Sequence, residues 1–160
     1  MKRLGLVRTL KGTIIFLAAM VAFCYAVILP QKILQLEEPG RLNAEVSWLI
    51  TPGIVAVSIS VIPIAIALVL FWQICTEIGR DNSFCHKNAG RLTGIGFCAL
   101  IDTGYCAVGT VTIEILVGSP VWVLGLMVCT VGLAIALAAF LLSHLVLKAA
   151  DMKAENDLTI

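Results

Sequence analysis

The sequence predicts an all-α protein, an integral membrane four-helix bundle with antiparallel up-and-down topology, on three observations. The first is composition: of 160 residues, 60% are hydrophobic and 13% charged, with a mean hydropathy of +1.03. A soluble domain carries roughly 25% charged residues, so hydrocarbon is the solvent this balance suits. The second is length: spanning ~30 Å of hydrocarbon takes about 20 apolar residues at 1.5 Å each, and the chain offers such runs between stretches of charged residues. The third is the side on which the basic residues fall. Four (Lys2, Arg3, Arg8, Lys11) precede the first span, three (Arg80, Lys87, Arg91) lie between the second and third, and two (Lys148, Lys153) follow the fourth, leaving Lys32 and Arg41 on the other side. The basic side is the cytoplasmic one, so both termini are expected in the cytoplasm.

The first span is placed at 13–29. Its basic start resembles that of a signal peptide, but Ala26-Val27-Ile28-Leu29-Pro30 lacks the small-x-small cleavage pattern. Bulky Phe23 before Cys24 also argues against a lipoprotein site, so the segment is expected to remain as a helix. The second span, 48–74, is long enough to tilt or to project from the bilayer. Pro63 lies inside it and should kink it, whereas Pro52 sits near its start, where a missing N–H costs little. The third and fourth spans, 92–117 and 121–147, are joined by Gly118-Ser119-Pro120, a turn so short that they must form an antiparallel hairpin. Gly104, Gly109, Gly125, Gly132 and Ala136 would let their backbones approach closely, which replaces the hydrophobic drive that lipid lacks. Tyr25, Trp48 and Trp122 fall near the outer boundary and Trp72 near the inner one, as in an aromatic belt.

The chain thus reads as one membrane domain, 1–160, with a cytoplasmic loop at 78–91 and a cytoplasmic tail at 148–160. In the loop, Gly79 can end the second helix, Asp81, Asn82 and Ser83 supply turn and capping chemistry, and the third helix begins outside the lipid. Phe84, alone among polar residues, is suited to anchor the turn against the helix ends. No repeat relates the two halves, so the inverted-repeat signature of a secondary transporter is missing, although a homo-oligomer would supply symmetry.

Several function classes lose support. A net charge of +1 offers no drive toward direct nucleic-acid binding. The six cysteines lie in or beside apolar stretches without a Cys-x-x-Cys pair, which disfavours a disulfide framework and a thiol oxidase alike. Cys85-His86 supplies two metal ligands where structural zinc takes four, and no metal or other cofactor is expected. Candidate acids, bases and nucleophiles are scattered in depth, which argues against an enzyme and leaves no catalytic residue to name.

Four intramembrane polar residues carry the remaining chemistry: Asp102, Tyr105, Glu114 and His144. Asp102 lies 11 residues beyond Arg91, about 16 Å into the bilayer at helical rise. An ionised carboxylate there costs at least ~2.5 kcal/mol, so it should face the bundle interior, find donors or take up a proton. It is read either as a proton or cation relay or as a carboxyl that fixes helix packing. At 100° per residue, Gly94, Cys98, Asp102, Tyr105, Gly109 and Thr112 share one stripe, expected to be the packed face of the third helix. Glu114 is rotated by about 120° from Asp102, so the two do not pair, and it is expected to snorkel to the outer interface. His144 is expected as an interfacial polar residue, with pH sensing as the other reading.

The run Gly79, Phe84, Asn88, Arg91-Leu92 and Ile95-Gly96, with the ending Glu155-Asn156-Asp157-Leu158-Thr159-Ile160 and the four-span layout, resembles a bacterial membrane family, domain of unknown function 2975. Ser83 and Cys85 depart from the Pro and Ser or Thr that often flank the Phe in that family. The resemblance implies a bacterial cytoplasmic (plasma) membrane location. Its members are often encoded beside a small helix-turn-helix regulator, which implies a membrane partner for a DNA-binding protein. Three cytoplasmic surfaces are available for such contact: the basic amino end, the loop with Arg80, Phe84, Lys87, Asn88 and Arg91, and the tail from Asp151. The other reading of the basic residues is that they fix orientation and touch anionic lipid. The leading expectation is therefore a non-enzymatic membrane protein controlling such a regulator. The alternative is a small proton- or cation-coupled transporter or channel subunit using Asp102.

Overall fold

The computed structural model describes residues 2–28, 30–31, 50–80, 83–117 and 122–157. Among the described residues four long helices follow one another: α1 Lys2–Phe23, continued by a π-helical stretch Cys24–Ile28, then α2 Ile50–Gly79, α3 His86–Val117 and α4 Trp122–Asp157. No strand occurs among the described residues. All four helices are long and apolar enough to cross a membrane, and large apolar side chains such as Phe16, Val69, Val108 and Leu141 stand on their outer faces. In water such a surface would not survive; against acyl chains it costs nothing.

Side-chain pairs fix the topology. Val7 meets Gly79, Lys11 lies over the Trp72 ring, and the Tyr25 hydroxyl is 2.8 Å from Ser60 Oγ, so α1 and α2 run antiparallel. Leu70 lies beside Gly94 and Gln73 is bonded to Arg91, which reverses the chain again between α2 and α3. Thr93 pairs with Ser143, Gly96 with Phe140, Thr103 with Gly132 and Thr110 with Gly125. The α3–α4 hairpin thus keeps one register along its length. The linking residues 118–121, like the outer segment around Trp48, lie outside the described residues.

Every helix runs past its apolar run at the basic end: α1 begins at Lys2, α2 continues to Gly79, α3 starts at His86 and α4 reaches Asp157. Apolar length measures the hydrocarbon crossing, whereas a helix continues as long as its backbone bonds and its packing persist. Ala150, 6% exposed, shows the packing persisting beyond the expected end of the fourth span at Leu147. At 36 residues, α4 is about 54 Å long, well beyond the ~30 Å of hydrocarbon. Pro63 sits within α2, as expected, where its ring removes one backbone donor. Gly79 ends that helix, and the Arg80 N–H closes the last turn on the Glu77 carbonyl at 3.0 Å.

The seam between α3 and α4 is made of small residues. Its α4 side is Gly125, Cys129, Gly132, Ala136, Ala139, Ser143, Val146 and Ala150, all shielded, with Phe140 beside them over Gly96. Their spacing alternates between four and three, the 3.5-residue repeat that winds two helices into a left-handed pair. A Cβ on Gly125 or Gly132 would run into Thr110 or Thr103. Both threonine hydroxyls are turned back onto their own helix, to Cys106 O at 2.8 Å and Ala99 O at 2.7 Å, so neither is stranded in the seam. Gly104 and Gly109, expected to serve the same contact, have nothing within 4 Å of a Cβ position.

Candidate functional site

Two places gather the polar chemistry, one at the basic end and one within the membrane-spanning layer. At the basic end, Cys85 opens α3: its carbonyl accepts the N–H groups of Asn88 and Ala89 at 3.0 and 3.3 Å, satisfying donors that a helix start leaves free. Asn88, 1% exposed, donates from Nδ2 to the Ser83 carbonyl at 3.1 Å. Its Oδ1 accepts from an Arg91 terminal nitrogen at 2.8 Å. Arg91 also donates from Nε to Gln73 Oε1 at 3.0 Å and stands 3.9 Å from Glu77. The turn, the start of α3 and the end of α2 are thereby tied by one guanidinium. On the other side of α3, Ser143 donates to the Ala89 carbonyl at 2.7 Å and lies 2.8 Å from Thr93 Oγ1. His86 stands 3.5 Å from Asp151, both more than half exposed, so this pair holds little.

The clamp reassigns two expectations. Asn88, expected at a partner contact, is buried and holds the turn from inside, because a side-chain amide can donate to a backbone carbonyl and accept from a guanidinium at once. Phe84, expected to anchor the turn, is 55% exposed, since the anchoring is already done by hydrogen bonds. Arg91 spends its donors on α2 and on Asn88. Arg80, Phe84 and Lys87 remain on the surface. Gln73, Glu77, Thr93 and Ser143 were not singled out by sequence reasoning. Glu77, an acid at the inner end of an otherwise uncharged apolar run, was the signal for a buried cationic partner.

In the spanning layer, all four helices line one cleft of about 480 Å3. Leu10, Ile14 and Leu17 of α1, Leu68 and Phe71 of α2 and Ile135 of α4 form apolar walls, and Asp102 stands on the α3 side. Asp102 is partly buried, and its Oδ1 is buried without a hydrogen-bond partner. Of the other polar lining residues, Thr13 turns its hydroxyl onto the Thr9 carbonyl at 3.0 Å, so it does not serve the acid. Cys98 and Asp102 of the expected stripe face this cleft, whereas Thr112 is exposed. The packed face of α3 against α4 is instead Ala89, Thr93, Gly96, Thr103 and Thr110, because α3 has neighbours on two sides. Tyr105 is partly buried and is not among the residues lining the cleft. Glu114 lies twelve residues beyond Asp102, near the far end of α3, and its Oε2 is likewise buried and unpartnered. His144 is exposed on the outside of α4, away from the cleft. Among the described residues no three metal-ligating side chains converge.

Four apolar helices, a polar clamp at one end and an acid facing a cleft within the layer define a multi-pass membrane protein. Residues 34–160 match the family described as Protein of unknown function (DUF2975), and the chain belongs to it. The match takes in α2, α3, α4 and the clamp between them, but not α1. No curated protein and no solved structure matches the chain.

Proposed function

We propose that this is a non-enzymatic protein of the plasma membrane whose basic end faces the cytoplasm and docks a small helix-turn-helix transcription regulator there. The observation that carries this reading is Phe84, a large aromatic exposed on a turn that Asn88 and Arg91 hold rigid, with Arg80 and Lys87 beside it. An exposed aromatic on a fixed backbone is the kind of anchor around which interfaces concentrate their energy. The helical extension of α4 adds a second surface, with Asp151, Lys153 and Glu155 exposed. The regulator as partner rests on the family resemblance of the loop and tail. The test is co-purification of a neighbouring helix-turn-helix protein with the full chain, against Phe84→Ala with Lys87→Glu, and against a chain ending at Leu147. Loss of capture with either variant supports docking at that surface; undiminished capture with both removes the reading.

A second reading is favoured by the unpartnered Asp102 Oδ1 in the cleft: a proton- or cation-coupled path through the membrane. Reconstituted vesicles test it, because Asp102→Asn should abolish ion-coupled flux while leaving capture of a cytoplasmic partner intact.

A further inference from the structure

The cleft has a chemistry of its own, whichever reading of the charged end holds. Its walls are apolar on all four helices, and among the described residues Asp102 is the one charged residue lining it. Two basic residues at the inner ends of the cleft's helices are engaged elsewhere: Lys11 lies 4.9 Å over the Trp72 ring, and Arg91 is bonded to Gln73 and Asn88. A membrane acyl chain would fill the apolar volume and still leave Oδ1 without a donor. The site thus lacks one thing, a positive charge carried on a hydrophobic body.

We propose that the Asp102 cleft binds a lipophilic organic monocation, an amine or quaternary onium whose apolar groups lie against Leu17, Leu68 and Ile135 and whose charge pairs with Asp102. The volume of about 480 Å3 lies within the range of about 300–1,000 Å3 typical of small-molecule sites. Phe71 also lines the wall, and an aromatic ring is a wall that a cation tolerates better than an aliphatic one. In a site with hydrocarbon on its sides, the attraction of one carboxylate for one cation is far less screened than in water, so the charge decides what enters. A neutral body of the same shape gains the apolar contact alone. The site shares Asp102 with the second reading above but rests on binding, which needs neither a gradient nor passage across the membrane.

The experiment is equilibrium binding of tetraphenylphosphonium to the full chain in detergent and in lipid nanodiscs, with triphenylphosphine oxide as the neutral comparison. Saturable binding near one cation per chain is expected, falling about tenfold or more, equivalent to ~1.4 kcal/mol, in Asp102→Asn, which keeps the shape and removes the charge. Asp102→Glu should retain binding. Ala67→Phe, which fills the cleft and leaves the acid in place, should lose it, and the neutral compound should not distinguish the wild type from Asp102→Asn. The proposal is overturned if the folded, monodisperse wild type shows no saturable binding, or if Asp102→Asn binds the cation equally well. Saturable, Asp102-dependent binding without flux removes the transport reading and keeps the site; flux of protons or inorganic cations with no organic-cation binding does the reverse.

Discussion

Asn88 joins two groups, a carbonyl and a guanidinium, where the chain turns between α2 and α3. Its amide satisfies the Ser83 carbonyl and gives Arg91 an acceptor, and at 1% exposure no water stands ready to replace it. Removing one partner of a buried bond costs more than the bond itself contributes, because the group left behind has lost its hydration. Asn88→Ala should therefore destabilise the protein by about 1–3 kcal/mol, read as a fall in the thermal midpoint in detergent. Lys87→Ala, one residue away and exposed, should stay within about 0.5 kcal/mol. Equal effects would mean that the clamp does not hold the turn. The sequence makes Asn88 and Arg91 conspicuous, as polar residues at the start of an apolar helix. It does not say which way they point, because Gln73 and Glu77 reach Arg91 only once α2 is packed against α3. Asp102 was more legible: a lone acid about 16 Å beyond Arg91 at helical rise has few places to go, and it does face the interior.

The α3–α4 hairpin shows how register divides chemically identical residues. Gly125 and Gly132 are pressed against Thr110 and Thr103, while Gly104 and Gly109 have open space where a Cβ would stand. Composition alone credits all four with the same role. The alternation of four and three along α4 picks out Gly125 and Gly132, readable in the sequence once small residues are followed, whereas Gly104 and Gly109 fall beside the Thr103 and Thr110 positions of α3 that meet them. The hairpin itself was legible from its short turn; the extension of α4 to Asp157 was not, since hydropathy registers lipid contact and the seam continues outside the lipid. Gly132→Ala is expected to cost about 1–3 kcal/mol by overpacking. Gly104→Ala should be neutral or slightly stabilising, because alanine restricts the unfolded chain and meets nothing in the folded one. Unfolding of the two variants in mild detergent measures the contrast, and a Gly132→Ala protein as stable as wild type would show that the helices sit farther apart than described.

At the scale of the whole molecule, antiparallel pairing puts the start of α1, the end of α2, the start of α3 and the end of α4 at one end. Arg8, Lys11, Arg80, Lys87, Arg91, Lys148 and Lys153 gather there, so the charge asymmetry counted along the sequence becomes a property of one surface. The positive-inside rule expects such an end on the cytoplasmic side, where each basic residue near anionic headgroups adds about 1 kcal/mol to the preference. Because the four crossings are coupled, fixing the side of one residue fixes all of them. In a Cys85→Ser background, which removes the native thiol of the turn, Lys87→Cys and Lys153→Cys should react with a membrane-impermeant maleimide only after cells are permeabilised. Trp122→Cys, exposed at the opposite end of α4, should react on intact cells. Labelling of Lys87→Cys from outside would invert the orientation and place Phe84 out of reach of any transcription regulator, ending the docking reading while leaving the Asp102 cleft untouched. Opposite answers from Lys87→Cys and Lys153→Cys would be more serious, since an odd number of crossings between them cannot be reconciled with α3 and α4 pairing as a hairpin.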